Sequence, residues 1–224
     1  MELVYSIIFL IIGYGFGSFS TGYVVGRMSG HNIQSEGSGN IGTTNALRTM
    51  GAKGGALTFA GDLLKAFIPT LLVRFVFCPN MGYSPELTYL MTLVIGLGVV
   101  IGHNFPFYLH FKGGKGIAAT AGLVLSFHPT FIPVGVVLFF GAFLLTHYVS
   151  LGSLLVYAGI MIQMVVSGQM GLFHTSQGIL NEMYIITAFL TIMAYYKHRE
   201  NIKRLLKGEE RKTYLTKKNK EAIK

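Results

Sequence analysis

Apolar runs of about 20 residues, the length a helix needs to cross the hydrocarbon core of a bilayer, recur along this 224-residue chain. They fall at roughly 3–26, 55–78, 87–108, 131–149, 151–168 and 182–197, with a shorter one at about 116–127. In hydrocarbon each backbone N–H and C=O must be satisfied inside its own segment, so such runs predict helices. The short run ends at Phe127-His128-Pro129 and is expected to turn directly into the next helix. Composition agrees, with 51% hydrophobic and 12% charged residues and a mean hydropathy of +0.54. The expectation is an all-α membrane protein of seven transmembrane helices, with a single domain over 1–209 and a basic tail over 210–224. The N-terminal stretch lacks a basic segment before its apolar run and reads as a first span rather than a cleaved signal. Gly13-x-x-x-Gly17 and Gly22-x-x-x-Gly26 predict close helix packing. The lone Cys78 excludes an intramolecular disulfide.

The net charge of +9 is unevenly placed, with eleven of the 18 Lys and Arg residues between Lys197 and Lys224. If seven spans alternate, that tail shares one side with Arg27, Arg48, Lys53, Lys112 and Lys115. The connections 79–86 and 168–182 on the other side contain no Lys or Arg. Basic loops stay cytoplasmic, so the N-terminus is expected outside and the C-terminus inside. The same bias explains the basic tail, and no nucleic-acid partner is expected.

Three polar segments converge on that cytoplasmic side. The first, Gly37-Ser38-Gly39-Asn40-Ile41-Gly42-Thr43-Thr44-Asn45 followed by Arg48, sets hydroxyls, amides and a guanidinium among glycines. Glycine lets backbone N–H groups approach an anion, and the planar guanidinium donates two parallel bonds to phosphate. The second runs through Gly102-His103-Asn104-Phe105-Pro106 to Lys112-Gly113-Gly114-Lys115-Gly116 and opens the short helix. A helix N-terminus there favours an anion, with Lys115 as the nearest point charge. The spacing is not that of a nucleotide P-loop. In the third, Lys197-His198-Arg199-Glu200-Asn201, His198 and Asn201 share a face if the helix continues. Within the second span, Asp62 and Lys65 stand three residues apart and read either as a structural ion pair or as a source of positive charge for the site.

Absences narrow the chemistry. Asp62 is the only aspartate, and the seven histidines show no metal-ligand spacing, so metal-free chemistry without a cofactor is expected. The residue five before Asp62 is Leu57. That removes the histidine-to-aspartate dyad of the acyl-CoA-dependent glycerolipid acyltransferases, and the multiple aspartates of the cytidine-diphosphate alcohol phosphotransferases are missing as well.

Gly37 through Arg48, Gly102-His103-Asn104-Phe105-Pro106, Phe111-Lys112-Gly113-Gly114-Lys115-Gly116 and His198-Arg199-Glu200-Asn201-Ile202-Lys203-Arg204-Leu205-Leu206 resemble the bacterial acyl-phosphate:glycerol-3-phosphate acyltransferases. The four motifs appear in order, between Gly17 and about Glu209. The resemblance implies a seven-helix inner-membrane enzyme with its site on the cytoplasmic face. It implies acyl phosphate and glycerol 3-phosphate as substrates, and lysophosphatidic acid and phosphate as products. It also assigns catalysis to Ser38, Arg48, Lys115, His198 and Asn201. Substrate and phosphate binding then falls to Gly37, Gly39, Asn40, Thr44, Asn45, His103, Lys112, Gly113, Gly114 and Gly116. Thr43 in place of alanine, Ala66 in place of glycine and a long 168–182 connection depart from the pattern and are expected to lie away from the site. The alternatives are a transporter or flippase for phosphorylated lipids or small anions, and a structural protein with a lipid-binding tail.

Overall fold

A computed structural model describes residues 2–214. The last ten residues of the basic tail lie outside the described residues. The described chain is helical: α1 Glu2–Ser18, α2 Thr21–Met28, α3 Thr43–Leu72, a π-helical turn Val73–Phe77, α4 Cys78–Asn80, α5 Pro85–Asn104, a 3-10 turn Phe107–Leu109, α6 Ile117–Phe127, α7 Phe131–Thr146, α8 Val149–Gln169, α9 Gln177–Lys197 and α10 Arg199–Leu206. Five stretches are long and apolar enough to cross a membrane: Leu3–Met28, Thr43–Asn80, Pro85–Leu109, Val149–Gln169 and Gln177–Lys197. The remaining apolar helices, α6 and α7, have 11 and 16 residues.

The first apolar run breaks at Phe19-Ser20 into α1 and α2, with the Ser20 hydroxyl capping the second helix by accepting from the Tyr23 N–H. The third helix begins twelve residues before the apolar run does, because Thr43–Arg48 are already helical. A single non-helical residue, Gly51 with φ 71°, separates this polar turn from the apolar length. A positive φ of that kind costs glycine little.

Helix α5 lies at the centre, buried from Leu90 through Asn104 on most of its faces. Glycines let α1 approach it closely: a methyl group on Gly13 or Gly17 would overlap the carbonyls of Ile95 or Val99, and one on Gly98 or Gly102 those of Leu10 or Tyr14. This reciprocal small-residue seam is how helices pack where lipid removes the hydrophobic drive to associate. Outward faces carry exposed Val137, Leu144, Leu145, Ile185 and Ile192, an apolar surface suited to acyl chains.

The two ends of the bundle differ. At one end Tyr89, Phe127, Phe131 and Phe173 form an aromatic cluster with ring centroids 5.2–6.4 Å apart. Arg74 lies beside them with its guanidinium donating to the last carbonyls of α6, at Ser126 (2.7 Å) and Phe127. A cation at a helix C-terminus satisfies free carbonyls and complements the dipole. The opposite end gathers the polar motifs.

Candidate active site

A cavity of about 540 Å³ opens at that end, lined from four directions by helix starts: Thr43 and Thr44 of α3, Ile117 and Ala118 of α6, Val149 and Ser150 of α8, and Arg199 of α10. A helix start leaves backbone N–H groups without intrahelical acceptors and favours an anion, while the ends of α5 and α9, at His103 and Lys197, line the same cavity with the opposite polarity. Six basic side chains line the cavity: Arg48, Lys115, Lys197, Arg199, Arg204 and Arg211. The hydroxyl oxygens of Thr43 and Ser150 are buried there without a hydrogen-bond partner among the described residues. Thr43, expected away from the site, therefore belongs to its wall.

The first glycine-rich loop is organised by Asn45. Its side-chain oxygen accepts from the Ser38 N–H (2.8 Å), and its Nδ2 donates to the carbonyls of Ile33 (3.1 Å) and Glu36 (3.0 Å). Asn45 is 1% exposed, so its amide shapes the loop. Gly37 and Gly39 have φ of 63° and 70°, and a Cβ on Gly37 would overlap the Asn45 side chain. The loop thus presents Ser38, Asn40 and Thr44 to the cavity. Arg48 follows one helical turn later, its Nη2 donating to the Thr213 hydroxyl (2.8 Å) and the Arg211 carbonyl (3.3 Å).

The second loop is pinned to the end of α5. The Gly113 N–H donates to the Asn104 carbonyl (3.2 Å) and the Gly114 N–H to the His103 carbonyl (3.0 Å). Lys197 donates to the same Asn104 carbonyl (2.9 Å). Gly113, Lys115 and Gly116 line the cavity, Gly114 packs behind them against the His103 ring, and Lys112 is exposed outside the cavity.

The Lys115 ammonium donates to Asn201 Oδ1. Asn201 Nδ2 donates to Glu210 Oε1 (2.8 Å), and Arg204 Nε donates to Glu210 Oε2 (2.9 Å). An ammonium only donates and a carboxylate only accepts, which fixes the orientation of the Asn201 amide between them. Burial pulls the Lys115 ammonium down to about 8, with Arg204, Arg48 and Lys197 adding repulsion against the opposing pull of Glu210. His198, one turn before Asn201, has Nδ1 2.8 Å from the Ala194 carbonyl. Burial, reinforced by the nearby Lys115 charge, lowers His198 to about 4, so its imidazole is neutral at physiological pH.

Asp62 lines the cavity floor, and its Oδ1 lies 3.0 Å from the Lys65 ammonium. Glu210, Arg211 and Thr213 were absent from the sequence reading of the site. They return to it because Gly208, at φ 72°, stops α10 and turns the chain back. Thr213 then bonds the His147 carbonyl through its N–H (2.9 Å), and the Tyr214 ring packs on His147. An isolated Glu209-Glu210 pair in a basic tail is the one sequence signal of this return. Ser153, on the cavity wall one turn after Ser150, carried no such signal.

A bundle of apolar helices whose starts and cations surround one polar cavity defines an integral membrane protein built to hold phosphorylated molecules at one of its ends. Comparison with known proteins narrows this class. The profile described as Glycerol-3-phosphate acyltransferase matches residues 7–208, and the chain belongs to that family. It is 38% identical to the glycerol-3-phosphate acyltransferase of Clostridioides difficile (strain 630), over 95% of this chain and 97% of that protein. It is 36% identical to the glycerol-3-phosphate acyltransferase of Bacillus subtilis (strain 168), over 91% and 95%. The fold is similar to PlsY (YgiH), an integral membrane glycerol 3-phosphate acyltransferase solved in a glycerol 3-phosphate form and a lysophosphatidic acid form. The TM-scores are 0.79 and 0.76 at 31% identity, covering 93% and 94% of this chain and 96% of each PlsY chain.

Proposed function

We propose that this member of the family acylates glycerol 3-phosphate at its 1-position with acyl phosphate as donor, giving lysophosphatidic acid and inorganic phosphate. The observation that carries the donor is the density of phosphate-binding groups in one cavity: Arg48, Lys115 and Arg204 stand among four helix starts. Two anionic reactants repel each other, and this field offsets the repulsion and orients them. In the step itself the glycerol oxygen forms a C–O bond to the acyl carbon and the bond from that carbon to the phosphate oxygen breaks. Phosphate leaves with the electron pair, and the hydroxyl proton passes to a phosphate oxygen of the substrate. Burial holds His198 neutral, so its imidazole can accept a hydrogen bond from the hydroxyl. Ser38, Arg48, Lys115, His198 and Asn201 are assigned to catalysis, and Gly37, Gly39, Asn40, Thr44, Gly113 and Gly116 of the cavity wall to holding phosphate.

Purified protein given labelled glycerol 3-phosphate is expected to form lysophosphatidic acid from acyl phosphate, and not from acyl-CoA or acyl carrier protein. Excess EDTA should leave the rate unchanged. A phosphate leaving group is stabilised by the cations in place, whereas a thiolate needs its own binding surface and acid. Efficient acylation from acyl-CoA, or abolition by EDTA, would overturn the reading.

In this reading the chain crosses a bacterial inner membrane seven times, α6 and α7 included, with the N-terminus outside and the cavity on the cytoplasmic face. The acyltransferase domain, expected over 1–209, takes in the first residues of the basic tail 210–224, because Glu210 and Thr213 brace Asn201, Arg204 and Arg48. Support comes from the basic residues at the cavity end and from Arg74 at the aromatic end, whose guanidinium is bound to α6 carbonyls. Cysteine placed at Gln169 should react with a membrane-impermeant thiol reagent on intact cells, and cysteine at Thr49 should not; native Cys78 is buried and silent. The reverse pattern would invert the topology.

A further inference from the structure

Lys65 extends from α3 to three acceptors: Asp62 Oδ1 at 3.0 Å, the Phe19 carbonyl at 2.7 Å and His103 Nδ1 at 2.9 Å. The Phe19 carbonyl is available because the helix breaks there. An ammonium has N–H donors and no acceptor, so Nδ1 of His103 must accept in their contact, and Asp62 Oδ1, 3.7 Å from that nitrogen, is beyond hydrogen-bond reach of it. A doubly protonated ring would set its Nδ1–H against the ammonium. His103 is thus neutral with its proton on Nε2.

That Nε2 lies on the other side of the ring, against Gly114, where a Cβ would overlap it. It has no hydrogen-bond partner among the described residues, and His103 is 5% exposed and lines the cavity. We propose that Lys65 and Asp62 are positioning residues that hold His103, which the resemblance assigns to substrate binding, in the tautomer whose Nε2–H donates to a negatively charged oxygen in the cavity. The inference rests on reading this cavity as the place where the two phosphorylated substrates meet. It gives the buried ion pair a task at the site and leaves His103 without a free nitrogen to take the glycerol proton.

His198 makes the contrast. Its Nδ1 faces the Ala194 carbonyl, which only accepts, so Nδ1 carries the proton and Nε2 is bare. One cavity therefore holds two neutral histidines of opposite polarity, a donor at His103 and an acceptor at His198.

Ring-labelled histidine in the wild-type enzyme, observed by 15N NMR in detergent and assigned by the signal that His103→Gln removes, reads the tautomer directly without substrate. A protonated Nε2 and a bare Nδ1 are expected; a protonated Nδ1 overturns the proposal. In the acylation assay, His103→Ala should lose roughly 10- to 100-fold, the scale of one hydrogen bond to a charged group. His103→Gln, which keeps an acceptor and a donor, should recover most of that loss. A rise in KM for one substrate places the oxygen on that substrate's phosphate, and a fall in kcat alone places it on the acyl oxygen as it gains charge. Equal losses in the Ala and Gln variants overturn the proposal while leaving the cavity reading intact. Retention of activity by Lys115→Met would remove the cavity reading itself.

Discussion

Lys115→Met is expected to lower kcat/KM for lysophosphatidic acid formation by about 10²–10³, the scale of removing one preorganised donor to a developing oxyanion. Methionine keeps the length and the apolar stem, so the buried approach of the side chain survives while the charge and the bond to Asn201 Oδ1 are lost. The bond from Asn201 to Glu210 remains and should keep α10 and the returning tail in place. The wild-type pH profile carries the same claim. Lys115 is charged below about 8 and neutral above it, so kcat/KM, which reports the free enzyme, should fall as pH rises through about 8. Bound phosphate favours the ammonium, which places the corresponding limb of kcat at higher pH. A Met variant with near wild-type rate, or a flat profile through that range, would remove Lys115 from the phosphate site.

Arg48→Lys should reduce activity by at least about tenfold, since one charge-assisted contact of about 1.5–3 kcal/mol is lost even though the charge is kept. The structure sharpens the reason. Nη2 is already held by the Thr213 hydroxyl and the Arg211 carbonyl, which fixes the plane of the guanidinium and leaves its other edge for a phosphate. Lysine has no second edge. Thr213→Val separates the tether from the phosphate contact: if Arg48 acts only by holding the tail, Val at 213 should cost as much as Lys at 48. A Lys variant with wild-type kinetics would refute the phosphate assignment.

Hydropathy located the apolar helices because lipid penalises an unsatisfied backbone, and that penalty writes long apolar runs into the sequence; five of them are long enough to span. It failed where a helix is polar. Thr43–Arg48 read as loop because the first turn of α3 faces the cavity rather than lipid, so its side chains carry no apolar signal. The motifs marked the walls of the site, since glycine, amide and cation in short order have few other uses. What they could not mark is contact between distant segments. Asn45 read as a phosphate ligand, yet its amide is used by the Ile33 and Glu36 carbonyls and the Ser38 N–H. The partnership of Lys65 with His103 depends on how α3 crosses α5, and the return of Glu210 and Thr213 depends on one left-handed glycine at 208. Neither leaves a periodicity to read.

The shortness of α6 sets it apart from the helices around it. Its 11 residues rise about 16 Å at 1.5 Å each, roughly half the ~30 Å of a bilayer's hydrocarbon core. Its first residues are cavity wall and its last meets the aromatic end. The loop that precedes it is pinned to the end of α5, whose 20 residues rise about 30 Å. One full-length and one half-length helix therefore meet beside Lys115, and the phosphate-binding loop hangs between helices of unequal reach.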